Sequence, residues 1–219
     1  MYRAAIFDFD ETMIDLERQH HAAHRLLCQE MGSDYGALPE SFRTASGNRI
    51  IDDIRDMRAF FGWEASEEEL FARRHEHFLR ECRTAPLELM PGVERVVRAL
   101  HEQGVVLAVT SSAVGDAIEE ILRRFRLRDL FAVIVDGSEV THGKPHPEAY
   151  LVTARKLGVA PAECIVFEDS HVGVAAAKRA GMTCIAVRNP RALRWQDLSE
   201  ADRVVTSFEE LTDSLPTSR

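Results

Sequence analysis

Phe7-Asp8-Phe9-Asp10-Glu11-Thr12-Met13-Ile14-Asp15 (FDFDETMID, residues 7–15) continues an apolar run that begins at Ala4. Ala4-Ala5-Ile6-Phe7 reads as a strand buried on both faces. Four acids, Asp8, Asp10, Glu11 and Asp15, then crowd its carboxyl end. Like charges that close repel, and burying them unpaired is costly. Either a cation compensates them or the stretch is a solvated loop, and the rest of the chain decides which.

Working outward, the chain has two textures. From Glu17 to about Pro86 it reads as helical. HHAAHRLLCQEMG places Ala23, Leu26, Leu27 and Met31 near one face, with Gly32 as a stop. Ser66 and Glu69 have capping-box spacing ahead of ELFARRHEHFL. After Met90-Pro91-Gly92 the chain alternates. VERVVRALHEQG, GDAIEEILRRF, PEAYLVTARKLG and VGVAAAKRAG read as helices; VVLAVT, FAVIVDG, CIVFED and TCIAV read as strands. DRVVTSFEEL reads as a last strand and helix. Such alternation predicts βαβ units and a parallel sheet covered on both faces. The expected fold is therefore α/β, a Rossmann-like three-layer core with an all-helical insertion after the first strand. The core would comprise residues 1–15 and 88–219, the insertion residues 16–87.

Ligands of open parallel sheets bind beyond the carboxyl ends of the strands. Asp8 and Asp10 follow the first strand; Thr110, Ser111 and Ser112 follow VVLAV; Asp136 and a loop ending in His142-Gly143-Lys144-Pro145 follow FAVIV; Glu168 and Asp169 follow CIVF. Each has an ordinary reading taken singly. Ser112 could be a helix N-cap, Lys144 a solvated loop lysine, and each acid pair a turn device. On one rim they form a chemical set. Carboxylates hold a hard dication such as Mg2+. Hydroxyls and backbone N–H groups at a helix start bind phosphate oxygens. A lysine neutralises nucleophile and phosphate. One carboxylate can attack phosphorus while another moves the proton. Other motifs fail: an EF-hand starting at Asp8 would have Met13 and Gln19 where Gly and Glu are needed, and the Gly137–Lys144 stretch has the wrong spacing for a Walker A loop.

Composition narrows the class. The 219 residues suit one large domain, or a core with an insertion, and the formal net charge is -9. That charge disfavours nucleic-acid binding, and an anionic substrate must be drawn by local positive charge. No stretch is apolar enough to span a bilayer, and the acids near the N-terminus do not fit a signal peptide. Cys28, Cys82, Cys164 and Cys184 lack CxxC spacing, as expected of inert thiols in the reducing cytoplasm. A monomer is the default expectation.

The motifs together resemble the haloacid dehalogenase superfamily, in its branch of β-phosphoglucomutase and small sugar-phosphate phosphatases. FDFDET resembles the DxDxT motif, VTSS the Ser/Thr motif, GKPHPEAY the lysine motif and FEDSHVGVAAAKRAGM the acidic motif, in the expected order. The resemblance implies that the helical insertion is a cap. It implies Asp8 as nucleophile and Mg2+ ligand, and Asp10 as general acid/base with its carbonyl on the metal. Thr110 and Lys144 would hold the phosphoryl group, with Ser111 beside them, and Asp169 would ligate Mg2+ with Glu168 as a direct or water-mediated partner. Asp10 argues against dehalogenation itself. Glu11 departs from the branch, whose members usually carry Gly there.

In the cap, the resemblance implies substrate contacts for His20 and for Arg49, in SGNRIIDD. Arg74, in ARRHEHF, matches a basic cap position loosely, and a solvated helix face is its simpler reading. The expected function is a Mg2+-dependent phosphatase of a small phosphorylated metabolite, a sugar or polyol phosphate. The alternatives are β-phosphoglucomutase and a catalytically weak phosphometabolite-binding protein.

Overall fold

The structure, a computed structural model, describes residues 2–43, 49–112, 114–189 and 197–211. The chain forms two compact units, Met1–Asp15 with Glu88–Arg219, and Leu16–Leu87.

The first unit is built on six parallel strands, β1 (Ala4–Phe7), β2 (Val106–Thr110), β3 (Phe131–Val135), β4 (Cys164–Glu168), β5 (Thr183–Val187) and β6 (Arg203–Val205). Their order is β3-β2-β1-β4-β5-β6. The chain winds outward from β1 to β3, then returns to the other side of β1 for β4. The switch point thus lies between β1 and β4, where strand ends leave a crevice for a ligand. The helices of this unit are α5 (Val93–Glu102), α6 (Gly115–Arg124), α7 (Glu148–Leu157) and α8 (His171–Arg179), numbered after four in the other unit.

Alternation along β1 divides the core. Ala4 and Ile6 share a buried cluster with Tyr150 and Ala154 of α7 and with Val174 and Ala177 of α8. Phe7, pointing to the other face, stacks on Phe167 at 4.7 Å and meets Phe131 edge-on at 5.9 Å. Phe208 completes this aromatic layer, 6.2 Å from Phe7. It belongs to a 3-10 turn, Phe208–Leu211, where the sequence suggested a helix. The turn acts as a wedge: Phe208 and Leu211 are fully buried while Glu209 and Glu210 between them are exposed.

Gly92 shows how closely that wedge is fitted. Its φ is +87°, and a Cβ there would lie 2.5 Å from Glu209 N and 2.8 Å from Phe208 C. These nearest atoms are all backbone of Phe208 and Glu209, which leaves nothing soft to yield.

The second unit contains α1 (Glu17–Glu30), α2 (Glu40–Arg43), α3 (Ile50–Phe61) and α4 (Glu67–Thr84). Leu27, Ile54, Met57, Trp63 and Leu70 form its core. The Ser66–Glu69 capping box is present: Glu69 N donates to Ser66 Oγ (3.2 Å) and Ser66 N to Glu69 Oε2 (3.1 Å). Gly62 ends α3 in the left-handed conformation. His24 is buried beside the rings of Tyr35 and Phe42. Burial pushes its pKa well below the ordinary imidazole value, and the Arg74 charge pushes the same way.

Two outcomes follow from this packing. Gly92→Ala should destabilise the protein by about 2–4 kcal/mol, the sum of a left-handed alanine and a backbone clash, measured by urea unfolding. For His24, the unfolded chain binds the proton that the folded chain refuses. Its contribution is therefore complete above pH 6.5 and is lost as pH falls below that value. His24→Gln should flatten the decline in melting temperature between about pH 7 and 5.5, the range around the free-imidazole pKa.

Candidate active site

The register of the sheet sets the site. Phe7 pairs with Val109 on one side and Phe167 on the other. One step further, Asp8 leaves β1 between Thr110 and Glu168, with its N–H still donating to Phe167 O at 2.9 Å. Lys144 comes from the loop before α7. Its Nζ donates to Asp8 Oδ1 at 2.5 Å and also to Glu168 Oε1. The Lys144 side chain is only 5% exposed, so this bridge is screened from water.

Glu168 is the best-satisfied acid. Tyr150 Oη donates to Oε1 at 2.9 Å; the N–H groups of Asp169 and Ser170 donate to Oε2, each at 2.9 Å, and Ser170 Oγ at 3.0 Å. Burial alone would raise its pKa, but Lys144 and these donors outweigh burial, and the net shift is downward. Asp8 is pushed up to about 7, first by burial, with Glu168 and Asp10 adding to it against the opposing pull of Lys144. Asp169 is raised well above the carboxylate range by burial and by the charges of Glu168 and Asp8. Lys144 would lose its proton to burial, but the two acids it bridges hold it charged and raise its pKa.

One lysine thus faces three buried carboxylates, an imbalance of charge that favours a bound cation. Asp8, Glu168 and Asp169 each offer an oxygen, and these lie within 4.8 Å of one another. An all-oxygen, carboxylate-rich set fits a hard ion such as Mg2+. Because more donors converge on Glu168 than on Asp8 or Asp169, the latter two are the better direct ligands, with Glu168 beside them.

Thr12 joins the two. Its hydroxyl lies 2.8 Å from Asp169 Oδ1 and 3.2 Å from Asp8 Oδ2, and it is fully buried. The sequence reading passed over Thr12 as a site residue, although it is the Thr of DxDxT. A hydroxyl one helical turn after an acid is the signal that could have found it.

The hydroxyl cluster differs from expectation. Thr110 reaches the site by register, but its Oγ1 lies 2.6 Å from Thr153 Oγ1. Thr153 spends its own proton on Ala149 O, so Thr110 is the donor, and its hydroxyl turns toward α7. Ser111 is buried, its N–H held by Val135 O at 3.0 Å. Ser112 is not an N-cap: α6 starts at Gly115, and Asp136 caps it from β3, accepting from Gly115 N at 2.9 Å. Asp136 therefore anchors α6 and its own turn, accepting also from Ser138 N.

The turn after Asp8 is tight. Glu11 N donates to Ile14 O, Met13 N to Phe9 O, and Glu11 has φ of 62°. Left-handed backbone is where the branch's usual Gly would be at ease. Glu11 accepts it and uses its carboxylate, to which Asn189 Nδ2 donates at 2.5 Å. The residue thus ties the turn that carries Asp10 to the segment after β5.

In the helical unit, His20 and Arg74 meet. Arg74 Nη2 donates to His20 Nδ1 at 2.5 Å, and both lie against Phe78, the ring of His20 at 4.3 Å and the guanidinium at 4.9 Å. This corrects the solvated-face reading of Arg74, which is 1% exposed. The reason is periodicity: Leu70, Arg74, Phe78 and Cys82 form the buried stripe of α4. Arg49 forms a bidentate pair with Asp52, at 2.8 and 3.1 Å, and its hydrogen bond holds the Asp52 carboxyl below its usual range.

The haloacid dehalogenase-like hydrolase profile matches residues 2–181. The chain belongs to that family. Hexitol phosphatase B of Escherichia coli (strain K12) is 35% identical over 95% of this chain and 94% of its own length. Beta-phosphoglucomutase of Bacillus subtilis (strain 168) is 29% identical, covering 96% of this chain and 92% of its own. The crystal structure of CbbY from Rhodobacter sphaeroides in complex with phosphate superposes with a TM-score of 0.85 at 27% identity, over 96% of each chain. This haloacid dehalogenase-like protein is an enzyme of phosphoric esters, hydrolase or phosphomutase. Among the described residues no helix is long and apolar enough to cross a membrane.

Lys144→Met should cost about 3 kcal/mol of stability, because it leaves Asp8 and Glu168 buried without their shared cation. Chemical unfolding of the two proteins in the absence of divalent ions measures it.

Proposed function

We propose that this enzyme is a Mg2+-dependent phosphatase of a small phosphorylated metabolite, a sugar or polyol phosphate, acting through an aspartyl phosphate on Asp8. The observation that carries the reading is the bridge of Lys144 to Asp8 at the switch point of the sheet. It holds a carboxylate, a cation and a second acid, Asp169, around one small volume.

In this reading Asp8 attacks phosphorus, forming the Asp8–phosphorus bond as the ester bond to the leaving oxygen breaks. Asp10, protonated, gives its proton to that oxygen. A water then attacks the acyl phosphate, Asp10 takes the water's proton, and inorganic phosphate leaves with Asp8 restored. Lys144 stabilises charge on the phosphoryl oxygens throughout. A bound Mg2+ held by Asp8 and Asp169, with the Asp10 carbonyl and Glu168 in support, would neutralise charge shared by nucleophile and phosphate. Ser111 and a rotated Thr110 would contact the phosphoryl group. His20, Arg74 and Arg49 would recognise the remainder of the substrate, with Leu16–Leu87 serving as a cap. Polyol specificity is supported by the name of the hexitol phosphatase relative, and phosphate recognition by the complex described for CbbY.

β-Phosphoglucomutase is the second reading, favoured by the relative of that name. There a sugar hydroxyl, not water, takes the phosphoryl group from Asp8. The four cysteines are free and buried, which suits a reducing cytoplasm.

A panel of sugar and polyol phosphates tests both, following inorganic phosphate and glucose 6-phosphate in parallel with and without Mg2+. Phosphate release that requires Mg2+ is expected. Asp8→Asn should lower it by at least about 10^3-fold, the scale of losing a covalent nucleophile. Undiminished release by Asp8→Asn removes the nucleophile assignment. Glucose 6-phosphate forming from β-glucose 1-phosphate faster than free phosphate selects the mutase.

A further inference from the structure

Lys144 sits inside a second pattern of chemistry-bearing residues. His142, Lys144, His146 and Glu148 alternate along the loop into α7. Lys144 turns inward, whereas the side chains of His142 and His146 are 63% and 51% exposed. One ligand atom from each of His142, His146 and Glu148 lies within 4.8 Å of the others. We propose that these three residues form a second metal site, for Zn2+ or a chemically similar transition ion, on the solvent side of the loop that carries Lys144.

The donor set argues for that class of ion. Two imidazoles and a carboxylate suit Zn2+, Co2+ or Ni2+, whereas Mg2+ prefers oxygen alone. Three protein ligands leave an open position for water, the usual arrangement of a non-structural zinc site. The spacing is close to what such an ion needs. Glu148 Oε2 lies 2.9 Å from His142 Nδ1 and 3.9 Å from His146 Nδ1. Ligands about 2.1 Å from a tetrahedral ion are about 3.4 Å apart, midway between those distances. The imidazole rings already face one another, with centroids 4.6 Å apart.

The loop is also held in place before any ion arrives. Glu148 accepts from Thr141 N at 3.0 Å and His142 N at 2.8 Å, and His146 N donates to Gly143 O at 3.0 Å. Arg179 Nη1 donates to Pro145 O at 2.8 Å. The two backbone hydrogen bonds also fix the direction of the Glu148 carboxylate beside the histidines. Its charge also offsets the positive end of α7, which would otherwise repel a cation. Two existing contacts must yield, the long 3.3 Å hydrogen bond from Glu148 N to His146 Nδ1 and the 2.9 Å one between His142 Nδ1 and Glu148 Oε2. The competing account is a plain His142–Glu148 ion pair on the surface, worth little in water. It does not call for the second histidine, which the metal reading uses.

This site is chemically separable from the Asp8–Asp169 cluster and does not depend on the reaction assigned to it. The test titrates Co2+ into the tag-free protein in millimolar Mg2+, which occupies the carboxylate cluster, and follows the visible d–d absorption. One equivalent of Co2+ should develop bands of nitrogen-containing, low-coordinate geometry, displaced by one equivalent of Zn2+. The bands should be lost in His142→Ala/His146→Ala and retained in Asp169→Asn. Circular dichroism and Mg2+-dependent turnover of the double-histidine variant, expected to be unchanged, show that it is folded. The proposal is overturned by absence of bands in wild-type protein, by bands that survive in the folded double variant, or by their loss in a folded Asp169→Asn protein.

Discussion

The bridge from Lys144 to Asp8 and Glu168 is the constraint on which the site depends. Three carboxylates at the ends of adjacent strands cannot all be ionised and buried with a single lysine as compensation. The protein divides the problem. Glu168 receives Lys144, a tyrosine hydroxyl, a serine hydroxyl and two backbone N–H groups, and stays ionised. Asp8 and Asp169 receive the remainder, a share of the lysine and one threonine hydroxyl, and are driven upward in pKa. The imbalance is localised on the two acids that a dication would occupy, while Glu168 serves as the fixed post that positions Lys144.

That division reaches into the packing. Gly173 of α8 lies against Glu168 so closely that a Cβ would sit 1.7 Å from Oε1. The donors to Glu168 come from Asp169 and Ser170, the turn that leads into α8, and the absence of a side chain at Gly173 leaves room for the carboxylate they hold. That turn and the bare Gly173 are thus conditions for an ionised, buried glutamate, and the glutamate in turn positions the lysine. The same reasoning explains Tyr150, whose ring fills the core between α7 and β4 while its hydroxyl reaches Glu168. Removing either acid from the arrangement would leave Lys144 with one partner and a different position.

Much of this was legible in the chain. Runs of apolar residues alternating with helical periods gave the parallel sheet, and acids after AAIF and CIVF marked the ends of neighbouring strands at the switch point. Strand ends are readable because burial on both faces forces a continuous apolar run, and the first charge breaks it. Side-chain direction was not readable. The hydroxyl of Thr110 is turned by Thr153, more than forty residues later, and no local pattern reports such a partner. Asp136 looked like a rim acid and is a cap for α6, because a carboxylate that accepts from a distant N–H has the same local sequence as one that does not. Thr12 is a mixed case: its spacing from Asp8 is local and readable, but its nearer partner, Asp169, lies far away in the chain.

Arg74 and Glu11 mark two different limits. Arg74 lies on a clear i, i+4 stripe with Leu70, Phe78 and Cys82, so its burial was available from periodicity; composition prevailed because arginine is rarely fully buried. Burial of a guanidinium requires partners that accept its hydrogens and its charge, and His20 with the face of Phe78 supplies part of that. The pair therefore fixes the tautomer of His20, whose Nδ1 must accept and whose proton must sit on Nε2. Glu11 was visible as a departure, but its geometry was not. A left-handed residue is strained unless its side chain repays the conformation, and the hydrogen bond from Asn189 does so. The substitution that looked like surplus negative charge is a tether, and it replaces the freedom of glycine with a fixed turn at the base of the site.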